Sequence, residues 1–165
     1  TKKLYEARQD GRLGLATVPY VVDPHPDHFS LYRGISLAKP NRKEAELSSG
    51  VTIDSKEKAL EAAVVLREKW EAEMMMITLG DDGLMILPPR QNSGIFLDTV
   101  AQDVFDVSGA GDTVTAVYAA AIAAGASYTL AGDLANIAAG IVVSEVGTVP
   151  VNSKRFAAEI ERLGS

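Results

Sequence analysis

The run Asp106-Val107-Ser108-Gly109-Ala110-Gly111-Asp112-Thr113 constrains this chain more than any other stretch. Two glycines flank an alanine, an aspartate follows at once, and the alanine-rich segment Val114 to Ala124 has the composition of a helix. The loop therefore predicts a helix start, where the first amides have no intrahelical acceptor. The amides of Gly109, Ala110 and Gly111 are expected among those orphan donors, and glycine lets an oxyanion approach the backbone with no Cβ in the way. Asp112 then stands where a cradled phosphoryl group would meet its acceptor. A carboxylate beside an anion is electrostatically misplaced unless it accepts a proton. Taken alone, the same residue is also an ordinary acid in the first turn of a helix, stabilised by the macrodipole.

The remaining chain reads as alternating strands and helices. Thr1 to Asp10 predicts a short helix stopped at Gly11, with Gly14 in the turn beyond. Thr17 to Val22 is a buried strand that delivers Asp23 at its carboxyl end, either to a ligand-binding rim or to an Asp-Pro turn. His25, Asp27 and His28 form a polar loop rather than a metal site, since no third ligand shares their spacing. A strand at Ile35 to Ala38 leads through Lys39-Pro40 to a helix ending near Ser49, and Asn41 with Glu44 is a capping-box pair. Ser55 caps a helix to about Glu71, with Leu60, Ala63, Val64 and Arg67 on its apolar stripe. Met74 to Leu79 is a core strand, and Gly80-Asp81-Asp82-Gly83 turns it into a hairpin with Leu84 to Leu87. Pro88 to Ser93 is a surface loop and Gly94 to Asp98 a strand. Tyr128 to Glu145 is a second small-residue helix carrying Asn136, whose amide must find partners if buried, and Ser153 caps a final helix to Leu163.

Composition narrows the function classes. The chain has 165 residues, 47% hydrophobic and 23% charged, a soluble globular balance that predicts one compact unit, and it carries no internal repeat. A formal charge of -6 argues against a nucleic-acid surface. The absence of cysteine excludes a disulfide framework and a thiolate zinc site. No apolar run reaches membrane-spanning length and the first residues lack a signal core, so a cytoplasmic location with no membrane partner is expected. Neither a Walker A sequence nor a Rossmann glycine fingerprint occurs.

With these pieces in order, the chain resembles the ribokinase-like (PfkB) carbohydrate kinases, whose signature D-[TV]-x-G-A-G-D opens a long helix. The longer match from Val104 to Val114, with Val22-Asp23-Pro24, Tyr32-Arg33-Gly34, Lys39-Pro40-Asn41, Glu44 and Ala135 to Gly140, resembles in particular the heptose-7-phosphate kinase domains of bifunctional ADP-heptose synthesis proteins. The resemblance covers nearly the whole chain but only the C-terminal half of such a kinase. It implies part of a doubly wound sheet with helices on both faces, with the N-terminal half and the sugar lid absent.

The resemblance also implies an activity, phosphoryl transfer from ATP to a sugar or sugar-phosphate hydroxyl. Asp112 is then the general base, and Gly109, Ala110 and Gly111 the amide donors to the transferring group. Asn41, Thr78, Gly80, Gly83 and Asn136 border the nucleotide, with Asn136 beside the adenine. Glu44 orders Mg2+ through water. In several members a monovalent cation such as K+ lies beside the cradle, and Asp106, Ser108, Val142, Glu145 and Gly147 would supply its oxygens. Heptose 7-phosphate is the acceptor suggested, in lipopolysaccharide core synthesis, and a homodimer is an allowed assembly. The alternatives are a ribokinase, fructokinase or nucleoside kinase type, a nucleotide-binding piece without catalysis, or a structural α/β unit.

Overall fold

The computed structural model describes Lys3, Glu6, Ala7, Asp10 and residues 19–100 and 106–164. Most of the expected helix at Thr1 to Asp10, the glycines Gly11 and Gly14, the start of the Thr17 strand, and Val104-Phe105 of the long motif lie outside the described residues. The chain divides into two compact units, one of residues 1–78 and 85–95, the other of residues 79–84 and 96–165.

The first unit is built on a sheet whose strands run in the order β1 (Val21–Val22), β2 (Leu37–Ala38), β3 (Met74–Thr78), β4 (Leu84–Leu87) and β5 (Ile95–Leu97); Leu84, Phe96 and Leu97 belong to the second unit. β1, β2 and β3 are parallel, with Val22 opposite Ala38 and Ala38 opposite Met75. β3 and β4 are joined by residues 79–83, and β4 and β5 by residues 88–94. Neither connection has the dozen residues that a parallel crossover needs, so β4 and β5 return antiparallel and the sheet is mixed. The run Met74-Met75-Met76-Ile77 is buried throughout, as a core strand requires.

Helix α1 (Arg42–Ser49) starts at Asn41 with the full capping box and ends on Gly50 in the left-handed conformation. Helix α2 (Lys56–Lys69) starts at Ser55, whose side chain accepts the Lys58 amide. Its buried stripe is Ala59, Ala62, Ala63 and Leu66, followed by the fully buried Trp70; of the expected Leu60, Ala63, Val64 and Arg67, Ala63 is buried and the other three are half-buried. The face is rotated by one residue because the alanines, with no side chain beyond Cβ, let the helix approach β3 closely. Arg67 instead points outward and donates to Gln91 O and Asn92 Oδ1, fastening the 88–93 loop. The helix also stops short of Glu71, which takes a positive φ of 49°.

A short 3-10 helix, Pro26–Leu31, packs its Phe29 against Trp70, and the Trp70 indole donates to the Phe29 carbonyl at 3.1 Å. His25 and His28 lie in this segment with ring centroids 5.8 Å apart, and no cluster of three metal-ligating side chains occurs among the described residues.

In the second unit, α3 (Ala110–Ala123) and α4 (Tyr128–Val143) pack along their length. Alanines at 121, 131, 135 and 138 are buried, which permits the close approach. Helix α5 (Ser153–Gly164) contacts α4. Its cap is not Ser153 but Asn152, whose Oδ1 accepts the amides of Lys154 and Arg155 at 3.1 Å. Asparagine one position earlier reaches both free donors, so Ser153 becomes the first helical residue. Among the described residues no helix is long and apolar enough to cross a membrane.

Candidate active site

The singled-out residues fall into local groups. In the second unit, Gly109 precedes α3 with φ +82°, a conformation that glycine adopts without strain. A Cβ at this position would lie 3.0 Å from Thr148 Cγ2, so glycine is also the residue that leaves room for Thr148. The loop turns here, and Gly109 O accepts the Thr113 amide at 3.0 Å as the first intrahelical bond.

The amide ledger of this turn differs from expectation at one residue. Ala110 N–H donates to Val107 O at 3.2 Å, so it is not an orphan donor. The amides of Gly109, Gly111 and Asp112 have no acceptor among the described residues. Among the described residues the helix start thus presents three N–H groups without an acceptor, with the Asp112 amide in place of Ala110's. The Asp112 side chain is exposed in the first turn and makes no hydrogen bond or ion pair to a described residue. Its carboxylate is therefore not spent on capping, and it stands one residue from the open amide of Gly111.

Asp106 braces the same loop. One carboxylate oxygen accepts the Ser108 amide at 2.8 Å and the other accepts the Gly147 amide at 3.2 Å, while Asp106 N–H donates to Val143 O at 3.2 Å. The Ser108 hydroxyl and amide, with the Gly147 amide, hold the Asp106 carboxyl below the usual carboxylate range. Asp106, Ser108, Val142, Glu145 and Gly147 are thereby gathered at the α4 end. Val142 O, one of the oxygens expected around a monovalent cation, accepts the amides of Ser144 and Glu145, the latter at 3.1 Å.

Gly83 and Asn136 form a third group. Gly83 adopts φ +80° and ψ -130°, and its α-carbon lies directly under the backbone of residues 97–99. The Asp98 carbonyl in that stretch accepts from Asn136 Nδ2 at 2.6 Å, which satisfies the buried amide of α4. The turn that joins β3 to β4 at Gly80 to Gly83 is a 3-10 turn closed by Gly83 N–H to Gly80 O at 2.9 Å.

In the first unit, Asn41, Glu44 and Thr78 come together. Asn41 Oδ1 accepts the Glu44 amide at 3.0 Å, and Glu44 Oε2 accepts the Asn41 amide at 2.8 Å. Asn41 pairs with Thr78 across an isolated parallel bridge, and Thr78 N–H donates to Pro40 O at 3.2 Å. Among the described residues the Thr78 hydroxyl and the second carboxylate oxygen of Glu44 have no partner, and a carboxylate oxygen is the acceptor that a Mg2+-bound water needs.

The pattern of the pfkB family of carbohydrate kinases matches residues 3–155. The chain belongs to that family. It is 44% identical over 141 residues to the bifunctional protein HldE of Desulfatibacillum aliphaticivorans, which covers 86% of this chain and 29% of that protein. The pfkB chain therefore spans under a third of that curated relative. Among solved structures it is similar to Arabidopsis thaliana ribokinase complexed with ribose and ATP, with a TM-score of 0.75, 21% identity and coverage of 94% and 49% of the two chains. It is also similar to phosphofructokinase-2 from Escherichia coli in complex with potassium, with a TM-score of 0.80, 17% identity and coverage of 98% and 51%. The fold is ribokinase-like.

Sequence reasoning did not anticipate Thr148 beneath Gly109, the Asp98 carbonyl held by Asn136, or the ion pair of Asp23 with Lys39. Each is a contact between residues remote in the chain, for which no local pattern exists.

Proposed function

We propose that this pfkB chain carries the phosphate-binding and base-bearing part of an ATP-dependent sugar kinase, whose acceptor is heptose 7-phosphate. One observation carries the reading: at the start of α3, three amides that have no acceptor among the described residues adjoin an exposed carboxylate that none of those residues engages. The amides of Gly109, Gly111 and Asp112 donate to the oxygens of the transferring phosphoryl group, where charge is stabilised without reorganisation. Asp112 accepts the proton of the sugar hydroxyl as the new O–P bond forms and the bond to ADP breaks. Glu44 would hold Mg2+ through water, Asn41 and Thr78 would border the nucleotide, and the metal would supply charge neutralisation to the phosphates. The likeness to HldE favours a heptose phosphate over ribose or fructose as acceptor.

In the natural protein that carries this chain, Asp112→Asn should keep nucleotide binding and lose most turnover, by about 100-fold or more, since the amide cannot take the proton. A coupled assay over heptose 7-phosphate, ribose and fructose reads both the chemistry and the acceptor. Near-normal turnover of the Asn variant removes the base assignment, and preferred use of ribose or fructose removes the heptose assignment.

A further inference from the structure

We propose that Asp23 and Lys39 are a positioning pair that sets the start of α1, where Asn41 and Glu44 stand, and so governs how the chain responds to Mg2+; this rests on the sugar-kinase reading above. Asp23 follows β1 and Lys39 follows β2, so both stand at the carboxyl ends of adjacent parallel strands, where open α/β sheets gather their ligands. The Lys39 side chain is only 3% exposed, while that of Asp23 is 39% exposed, and Nζ lies 3.0 Å from Asp23 Oδ2. No other described residue pairs with this ammonium.

The chain from Lys39 to Asn41 is tied on both sides. Lys39 N–H donates to Val22 O at 2.9 Å, holding it to β1, and Pro40 O accepts the Thr78 amide, holding it to β3. The next residue, Asn41, opens the capping box with Glu44. The direction in which Glu44 presents its second carboxylate oxygen is therefore set just upstream of its cap partner Asn41, at Lys39 and Pro40, by a side-chain ion pair and two backbone bonds. A buried lysine is a poor stability device, because taking its charge from water offsets most of the attraction to its partner, and an apolar residue fills the same space as well or better. What the pair supplies is geometry: the ammonium reaches one carboxylate, and that fixes the end of β2 against the end of β1.

The pair touches neither nucleotide nor sugar in this reading, and its effect must pass through Asn41 and Glu44. Lys39→Met, close in volume, leaves a half-exposed carboxylate that water can solvate, so the variant should fold. In the natural protein, its half-saturating Mg2+ concentration for nucleotide binding and for turnover should rise about tenfold, as for residues that orient a metal's partners. Calorimetric binding of ATP in EDTA, and kcat at saturating Mg2+, should each stay within about twofold, which separates positioning from general loss of structure. A folded Lys39→Met with the normal Mg2+ dependence overturns the proposal, and so does an equal loss of metal-free ATP binding. Should Lys39→Met fail to fold, Asp23→Glu keeps the charge and lengthens the carboxylate arm; its Mg2+ requirement must then rise, and an unchanged requirement is equally fatal. A wild-type protein that phosphorylates no sugar defeats the kinase reading instead, while the binding titrations with and without Mg2+ still report on the pair.

Discussion

Replacing Gly83 with alanine puts a methyl group where the backbone of residues 97–99 already stands. The added Cβ would lie 2.0 Å from Leu97 O, 2.8 Å from Thr99 N and 2.9 Å from Asp98 C. Carbon contacts normally sit at about 3.5–4.0 Å, so the two segments must separate by more than about 1 Å. Two costs follow. The conformation at φ +80° and ψ -130° is almost restricted to glycine and costs about 1–3 kcal/mol for any other residue. Moving residues 97–99 also pulls the Asp98 carbonyl from Asn136 Nδ2, and a buried amide left unpaired costs about 1–3 kcal/mol. The sum is about 2–6 kcal/mol, a large part of a domain's usual stability of about 5–15 kcal/mol. Gly80, three residues earlier, is the internal control. It has φ +66° but nothing within 4 Å of a Cβ, so Gly80→Ala should lose only the left-handed penalty of about 1–2 kcal/mol. Urea denaturation followed by circular dichroism measures both variants against wild type. Coincident midpoints for the two alanine variants would refute the claim that close backbone approach, rather than turn conformation, demands glycine at 83.

Two further outcomes follow from single groups. The Ser48 hydroxyl is buried on α1 with no hydrogen-bond partner among the described residues, so Ser48→Ala, which also improves helix propensity, should stabilise by about 1 kcal/mol, and a lowered melting temperature would contradict this. Asp106 titrates below the ordinary carboxylate value of 3.8 in the folded protein, so its contribution is fully present above that value and is lost as pH falls through the lower, folded one. The melting-temperature gap between wild type and Asp106→Asn should therefore be constant near neutrality and close in acid below about pH 4. A gap that stays open at the lowest pH would show that the Ser108 and Gly147 bonds do not depend on the charge.

What could be read in advance was whatever nearby residues decide among themselves. The capping box at Asn41 and Glu44, the Ser55 cap, the apolar run of β3 and the helix opened by Gly109-Ala110-Gly111-Asp112 each involve groups within a few positions of one another. Their geometry follows from backbone hydrogen bonding and side-chain reach. The family signature was legible for the same reason, since it is a contiguous turn. The one-residue rotation of the α2 stripe was not, because Leu60 and Ala59 are both apolar and only the partner surface selects between them. Nor was the loss of Ala110 as a free donor, which depends on how far Val107 folds back. The Lys39 ammonium beside Asp23, the Thr148 methyl beneath Gly109 and the Asn136 amide on the Asp98 carbonyl join residues far apart in the chain. Such pairings leave no trace in local periodicity, since burial and proximity at those sites exist only after the elements have packed.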